Sequence, residues 1–193
     1  ETSADVYNRA GIYAEFGKIV CISVGFVKRT GDGEVLRITS FANDDEKIVL
    51  QEFSGLLNKY FNDLRHHRLC GHNGKEFDFP FIARRMLVHQ MPLPTMLNIA
   101  GLKPWDNPHL DTMTYWKFGE FKNFTSLDLL AALFEVPTPK DDIDGSQVRD
   151  VFYNEKDVDR IIIYCEKDTV SVAQIFLRLR NEELLHDSEV LSV

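Results

Sequence analysis

A run near the start of the chain is apolar on both faces of a β-strand, and it constrains the fold more than any other feature. Residues 18–28 have the sequence Lys-Ile-Val-Cys-Ile-Ser-Val-Gly-Phe-Val-Lys. A strand that is apolar on both sides lies inside a sheet that helices cover on both faces. The run therefore predicts an α/β domain. Side chains alternate along a strand, so one face carries Val20, Ile22, Val24 and Phe26, and the other carries Ile19, Cys21 and Val27.

The rest of the chain predicts one domain with a mixed sheet, antiparallel at the start and parallel later. A turn at 30–34 joins the first strand to a second, and later strands alternate with helices. A length of 193 residues agrees with a single domain. The predicted strands are 18–28, 35–42, 68–72 and 109–111. The predicted helices run from Asn43 or Asp44 to residue 63 and over 78–90, 112–118, 125–134 and 157–185, with an acidic connection at 136–154.

Composition excludes several classes of protein. The net charge of -8 excludes a basic nucleic-acid coat, 44% apolar residues exclude disorder, and three cysteines exclude a disulfide scaffold. Because the cysteines are odd in number and lie among apolar residues, we expect buried free thiols in a cytoplasmic protein. No apolar run approaches the roughly 20 residues that a membrane span needs. An acidic chain can still handle nucleic acid if its carboxylates hold metal ions.

The first local indication of a site is the segment from Gly71 to Asp78, with the sequence Gly-His-Asn-Gly-Lys-Glu-Phe-Asp. It follows a predicted strand and ends in a carboxylate at the start of the next predicted helix. Ligands of open α/β sheets bind at the carboxyl ends of strands, so this segment is where a site is expected. Taken alone, Asp78 has a second interpretation as an N-cap or first-turn acid of the helix.

The second indication lies on the last predicted helix, where Tyr164 and Asp168 are four residues apart and project from the same face. They stand beside the apolar stripe of that helix. Residues in this position can be partly buried and still reach a cleft. The alternative is a tyrosine at the edge of the core and a solvated aspartate.

Together the two segments resemble a known family. Asn73-x-x-x-Phe77-Asp78, followed about 90 residues later by Tyr164-x-x-x-Asp168, resembles the DEDDy 3′–5′ exonucleases. The chain is most similar to the predicted exonucleases related to the proofreading domain of family B DNA polymerases. The resemblance extends from about Ile12 onward and includes residues 13–20, 109–111, 126–130 and 140–146. It implies a ribonuclease H-like fold, in which a mixed sheet is flanked by helices.

The resemblance also implies two-metal hydrolysis of phosphodiester bonds with Mg²⁺ or Mn²⁺, which prefer carboxylate oxygens. Asp168 would ligate the metal that activates water, and Asp78 would support the second metal. Tyr164 would orient the attacking water. Asn73 would contact the terminal nucleotide, and Phe77 would pack near a base or support the site.

The chain departs from the family pattern in its first motif. Asp-x-Glu on the first strand should precede residues 18–28 and is absent there. Its only literal match, Asp32-Gly33-Glu34, falls in the turn between two strands, and we interpret it as a hairpin tip. Either the sequence starts downstream of the motif or the protein has lost its metal centre. We expect the first, because the chain begins without a methionine and a sheet lacking its first strand leaves a buried edge unpaired.

Four other features are weaker. His66, His67, Cys70 and His72 lack zinc-site spacing, and we interpret them as ordinary surface and core residues. Lys75, Arg84 and Arg85 either meet phosphates or form a solvated face. Asp111, at a strand end, is either a further site carboxylate or a cap. Lys140 is a candidate phosphate contact beside an acidic segment.

These observations favour a metal-dependent 3′–5′ exonuclease that acts on single-stranded nucleic acid, DNA in preference to RNA, away from membranes. A single strand is held by stacking and backbone contacts, so little sequence preference is expected. Two alternatives stay open: a catalytically inactive nucleic-acid-binding or scaffolding domain on the same fold, and a metal phosphohydrolase of small nucleotides. The sequence does not distinguish a monomer from a dimer.

Overall fold

The structure, a computed structural model, describes residues 10–31, 33–137 and 142–193. Its first sheet contains the predicted hairpin, formed by β1 (Cys21–Thr30) and β2 (Gly33–Ala42), which pair antiparallel from Cys21 opposite Ala42 to Thr30 opposite Gly33. β1 begins later than predicted, because the N–H of Ile19 donates to the carboxylate of Glu46 (2.7 Å) and not to a neighbouring strand. Asp32, the first residue of the predicted hairpin tip, lies outside the described residues, and Gly33 and Glu34 are the first two residues of β2.

Two further pairings complete the strand arrangement. β5 (Val190–Ser192) joins β2 in parallel at Leu36–Ile38, and β3 (Cys70–Gly71) pairs in parallel with β4 (Leu110–Asp111). The described strands therefore form a three-stranded sheet in the order β1-β2-β5 and a separate two-stranded sheet, β3-β4. The predicted mixed α/β architecture is confirmed, while β5 was not predicted.

Six helices in the described ranges flank these strands, and most begin where a side chain caps them. Asp45, Asp111, Ser126 and Asp157 each accept a backbone N–H of the helix that follows. No helix in this part of the chain is long and apolar enough to cross a membrane. The helices are α1 (Glu46–Tyr60), α2 (Asp78–Val88), α3 (Thr112–Lys117), α4 (Leu127–Leu133), α5 (Val148–Asp150) and α6 (Val158–Leu179).

The last helix is shorter than predicted. α6 ends at Leu179, and the predicted extension to residue 185 is wrong. Asn181 adopts a left-handed backbone conformation with φ of 59°, and the N–H of Glu182 bonds the carbonyl of Leu177 (2.9 Å). Asparagine tolerates this conformation, which closes a helix C-terminus. The chain then turns back through a short helical turn, Asp187–Glu189, into β5.

The predicted irregular connection at 136–154 is also partly helical. α5 continues directly into a wide helical turn, Val151–Glu155. Val151 and Phe152 are buried there against Ile143 and Ile161, so the core orders this acidic segment. Lys140, the predicted phosphate contact, lies outside the described residues.

Helices cover both faces of the hairpin, as the apolar pattern of β1 predicts. On one side Ile22 packs with Leu50 and Phe53 of α1 and with Met86 of α2. On the other side Leu36 and Ile38 pack against Leu177 of α6. Burying each such side chain stabilises the fold by about 1.5–3 kcal/mol. α6 also packs against α3, α4 and β3, so it joins the hairpin to the second sheet.

The cysteines are free thiols, as expected, but they are not all buried. Cys21 of β1 and Cys165 of α6 are half-buried in one apolar cluster. Cys70 of β3, taken over all its atoms, is exposed. The protein around the Cys70 sulfur nevertheless desolvates the thiolate, and this burial raises the pKa of Cys70 to about 12.

Candidate functional site

The turn between β3 and α2 places three of the predicted site residues together. Asn73 follows β3 with φ of 61°, a left-handed conformation that asparagine tolerates. Its carbonyl accepts the N–H groups of Glu76 (3.3 Å) and Phe77 (2.9 Å), which closes the turn. The carbonyl of Gly74 then accepts the N–H of Phe79 (2.9 Å), at the start of α2. Asn73, Phe77 and Asp78 are thus held within one compact turn.

A buried carboxylate from the neighbouring strand fixes this turn. Asp111, only 2% exposed at the end of β4, accepts the N–H of Asn73 on Oδ1 and that of Lys75 on Oδ2, both at 3.0 Å. The same Oδ1 accepts the N–H groups of Met113 (3.0 Å) and Thr114 (3.2 Å) at the start of α3. Of the two interpretations left open by the sequence, the cap is therefore correct. Asp111 organises the turn by accepting backbone donors.

Asp78 is the first residue of α2 and stands in its first turn, since Phe77 occupies the N-cap position. The residue keeps contact with solvent, but the protein around its carboxyl group desolvates the charged form. This desolvation, with a smaller contribution from the negative charge of Asp111, raises the pKa of Asp78 to about 6. A bound cation would favour the ionised form, so the carboxylate is suited to a metal ligand.

Phe77, the residue before Asp78, presents its ring at the surface. The side chain is 42% exposed, and its ring centroid lies 5.7 Å from that of Phe81 one turn further along α2. This arrangement leaves one aromatic surface open beside Asn73 and Asp78.

Tyr164 and Asp168 lie one turn apart on α6, as predicted, and both are half-buried. Tyr164 packs in the apolar cluster that contains Ile143 and Ile161. Its hydroxyl group lies beside Gly145, 3.6 Å from the point where a Cβ on that glycine would stand. The segment around Gly145 therefore passes over the polar end of Tyr164.

The position of Asp168 is set by the residue that follows it. Thr169 donates its hydroxyl to the carbonyl of Cys165 (2.9 Å), and this hydroxyl lies 3.4 Å from the carbonyl of Ser23 in β1. A Cβ on Gly25 of β1 would stand 3.0 Å from the Thr169 methyl group, so this glycine allows a close approach of helix and strand. Hydrogen bonding to Cys21 and burial raise the pKa of the Cys165 thiol, and the charge of Asp168 adds to the shift.

The two halves of the predicted site lie on elements that meet. α6 packs against β3, the strand that leads into Asn73 and Asp78. The oxygen donors of Asp78 and Asp168 suit Mg²⁺ or Mn²⁺ in kind, but such ions take about six ligands. No group of three or more His, Cys, Asp or Glu side chains in the described part of the chain is placed to hold a metal ion. The carboxylates of Asp78 and Asp168 are thus of the kind that these metals bind, but the described residues supply too few ligands for a complete site.

His72, which the sequence singled out only within a weak His/Cys cluster, connects three segments around the turn. Its Nδ1 lies 2.8 Å from the hydroxyl of Thr112, and its Nε2 lies 2.9 Å from the carbonyl of Thr125. Burial lowers the pKa of His72, which favours the neutral ring. This histidine is a structural link, in agreement with its interpretation as an ordinary residue.

Neither Arg85 nor Lys75 is placed as a free phosphate contact. Arg85 is buried and binds both carboxylate oxygens of Glu46 through Nε (2.9 Å) and Nη2 (2.5 Å), and Nη1 donates to the carbonyl of Ala14 (2.9 Å). Lys75 donates to the carbonyl of Asn107 (3.2 Å). Both interpretations of Arg85 are therefore wrong, because its charge is neutralised inside the fold, away from phosphates and from solvent. Arg84 beside it is exposed.

Comparison with protein families identifies the chain. Residues 12–189 match the model of a family described as a predicted 3′–5′ exonuclease related to the exonuclease domain of PolB. The chain belongs to this family. The match covers the turn with Asn73 and Asp78 and the helix with Tyr164 and Asp168, so the resemblance to the PolB-related exonucleases is confirmed. A comparison with curated proteins finds no match.

Proposed function

We propose that this member of the PolB-related family is a divalent-metal-dependent 3′–5′ exonuclease that acts on single-stranded nucleic acid, DNA in preference to RNA. One observation carries the proposal. Within a family match that covers residues 12–189, the turn bearing Asn73 and Asp78 and the helix bearing Tyr164 and Asp168 belong to elements that meet at β3. Backbone and stacking contacts would hold the strand without strong sequence preference.

The reaction is the hydrolysis of the last phosphodiester bond. A water oxygen attacks phosphorus, and the bond from phosphorus to the 3′ oxygen of the preceding nucleotide breaks. This 3′ oxygen takes up a proton in exchange for the one that the water loses, so the products are a strand shortened by one nucleotide with a 3′ hydroxyl and a nucleoside 5′-monophosphate. In this proposal Tyr164 orients the water through its hydroxyl group, since a tyrosine is too weak a base near neutral pH to accept the proton. Asn73 contacts the terminal nucleotide, and the open ring of Phe77 packs against its base.

Asp78 and Asp168 are proposed as metal ligands. Divalent cations held there would offset the charge of the phosphate and lower the pKa of water. The remaining ligands would come from a strand carrying Asp-x-Glu, seated between β1 and β3. The separation of the described strands into the sheets β1-β2-β5 and β3-β4, with α6 packed on both, supports this position. A ribonuclease H-like arrangement of the whole sheet is part of the same proposal.

The test is the Mn²⁺-dependent shortening of a 5′-fluorescein-labelled single-stranded oligonucleotide by the full-length protein. We expect a ladder of products shortened from the 3′ end, and no shortening with excess chelator. Asp168→Asn and Asp78→Asn should each abolish the ladder because each removes a ligand. Glu52→Gln, an exposed change on α1, is the matched control. Full activity in Asp168→Asn would contradict the residue assignment.

A second candidate function is favoured because no group of three or more potential metal ligands is brought together in the described residues. An inactive domain of this family would bind single strands without cutting them. It predicts retention of the labelled oligonucleotide with no shortening in Mg²⁺, Mn²⁺ or other divalent metals. An RNA oligonucleotide of the same sequence, assayed in parallel, reports the preference between DNA and RNA.

A further inference from the structure

The loop between α3 and α4 exposes three phenylalanine rings within seven residues. Phe118 is 91% exposed, Phe121 93% and Phe124 65%, and the rings recur at every third position. Large apolar side chains concentrated at the surface mark a binding surface more often than a scattered single residue does. These rings add little to the core, so the stability of the fold does not account for them.

The backbone conformation of Phe118 also indicates a binding surface. This residue ends α3 in a left-handed conformation, with φ of 46° and ψ of 34°, and Gly119 after it also has a positive φ, of 91°. A bulky residue with positive φ costs about 1 kcal/mol or more and persists where the surroundings enforce it, often at functional sites. The result is a ring held away from the protein at the tip of the helix.

Lysines accompany the rings. The ammonium group of Lys117 lies over the ring of Phe124, 4.0 Å from its centroid, and the exposed Lys122 follows Phe121 directly. Residues 117–124 carry these two lysines and one acid, Glu120, although residues 98–193 hold 18 acidic and 10 basic side chains. Exposed rings with adjacent positive charge suit a ligand that alternates flat bases with phosphates.

The loop is anchored to the candidate site. Thr125, at its end, accepts a hydrogen bond at its carbonyl from Nε2 of His72 (2.9 Å), the residue before Asn73. The Thr125 hydroxyl donates to Oδ1 of Asn123 (2.9 Å), and Asn123 donates to Glu120 (3.3 Å). The rings are thus carried by a braced loop that ends beside the proposed contact to the terminal nucleotide.

We propose that residues 117–124 form a stacking platform for single-stranded nucleic acid. Bases stack on Phe118 and Phe121, and Lys117 and Lys122 meet the phosphates between them. The position of the platform on the strand, upstream of the 3′ end, rests on the proposed function. Binding to the platform requires neither metal nor cleavage.

The test measures binding in chelator, so that it does not depend on catalysis. The full-length protein is titrated into a fluorescein-labelled oligo(dT) of about 12 nucleotides and, separately, into an abasic strand of the same length, with fluorescence anisotropy as the readout. Combined replacement Phe118→Ala and Phe121→Ala should weaken oligo(dT) binding at least tenfold, because each stacked base contributes substantially to affinity. Binding of the abasic strand should change less than twofold.

A matched control uses an exposed lysine and aromatic pair on α1, where Lys59 lies 4.8 Å over the ring of Tyr60. Tyr60→Ala should leave both affinities unchanged. Circular dichroism and thermal melting establish that each variant is folded. If the double variant loses its fold, Lys122→Ala and Phe121→Ala provide single exposed replacements that are expected to weaken oligo(dT) binding threefold or more.

Three results would overturn the platform: wild-type protein that does not bind oligo(dT), a double variant that binds it as tightly as wild type, or an equal loss for the abasic strand. A change confined to oligomeric state or to retention on lipid vesicles would likewise assign the loop to another partner. Failure of the proposed function has a different outcome, in which no oligonucleotide is shortened in Mn²⁺ while the ring-dependent binding persists.

Discussion

The carboxylate of Asp111 at the end of β4 accepts the backbone N–H of Asn73, in the turn that follows β3, at 3.0 Å. The same carboxylate accepts donors from Lys75, Met113 and Thr114. Asp111→Asn replaces one acceptor with an NH₂ group and leaves at least one buried donor unsatisfied. We expect the free energy of unfolding to fall by about 2–3 kcal/mol in urea titrations. Asp106→Asn, at an exposed position, should change it by less than about 0.5 kcal/mol.

The pH dependence of Asp78 is the second prediction. Its pKa of about 6 lies above the usual value, so ionisation costs folding free energy. The cost grows as pH rises from about 4 to about 6 and is complete above that range. Asp78→Asn should therefore stabilise the protein near pH 7.5 by about 1 kcal/mol, after allowance for solvent screening, and much less near pH 4.5. Equal effects at both pH values in denaturant titrations would contradict this.

Metal binding to Asp78 is tested independently by the effect of Mn²⁺ on the Tm. Above pH 6 the wild-type carboxylate is ionised and a divalent cation stabilises the folded state by mass action. Added Mn²⁺ should raise the Tm of the wild type more than that of Asp78→Asn. An identical rise in both proteins would show that the cation binds elsewhere.

The adjacent Arg84 and Arg85 on α2 allow a comparison between an exposed and a buried arginine. Burial opposes ionisation of Glu46, but hydrogen bonds from Arg85, the Ile19 N–H and His89 outweigh it and hold the pKa of Glu46 below its usual range. Arg85→Gln leaves this carboxylate buried without its cation and should cost about 3–5 kcal/mol of unfolding free energy. Arg84→Gln, an exposed change, should cost little. The Glu46 contribution is present above the unfolded pKa near 4 and is lost as pH falls through the lower folded value.

Removal of one hydroxyl group tests the proposed role of Tyr164. Tyr164→Phe keeps the ring that packs with Ile143 and Ile161 and removes only the group that would orient water. The single-turnover rate of strand shortening should fall by about 10- to 100-fold, with oligonucleotide affinity nearly unchanged. Tyr153→Phe, an exposed replacement, is the control and should retain the wild-type rate. A Tyr164→Phe variant with that rate would rule out the role.

The return of the chain after α6 supplies the last prediction. Gln174, buried in α6, donates to the carbonyl of Leu185 (2.8 Å) and accepts its N–H (2.9 Å). Gln174→Ala leaves both backbone groups of Leu185 unpaired and should lower the free energy of unfolding by about 2–4 kcal/mol. Gln51→Ala on the exposed face of α1 should be close to neutral in the same urea titration.

The sequence predicts those parts of the fold that depend on neighbouring residues. The hairpin, the start of α2 at Asp78 and the cap at Ser126 follow from alternation, turn residues and capping side chains. The end of α6 was missed because its apolar spacing continues past Asn181, although asparagine there is a recognisable stop signal.

Interactions between residues that are far apart in the sequence account for the remaining differences between the prediction and the structure. Glu46 and Arg85 are 39 residues apart, and only the packed fold brings them together. Asp111 was ambiguous for the same reason, since a carboxylate at a strand end suits a cap and a metal equally until its donors are known. The ring pattern of Phe118, Phe121 and Phe124 is visible in the sequence, but an apolar repeat at this spacing also suits a buried helix face. Its exposure is a property of the fold.

α6 belongs to the packing of three apolar clusters and also carries Tyr164 and Asp168. A helix shared in this way can open only when most of the domain opens, so its amide protons should exchange at rates close to those of global unfolding. The consequence is genetic as well as physical. Substitutions far from the reacting atoms, on any helix that touches α6, should reduce activity through the abundance of folded protein, and loss-of-function alleles should be dispersed along the chain.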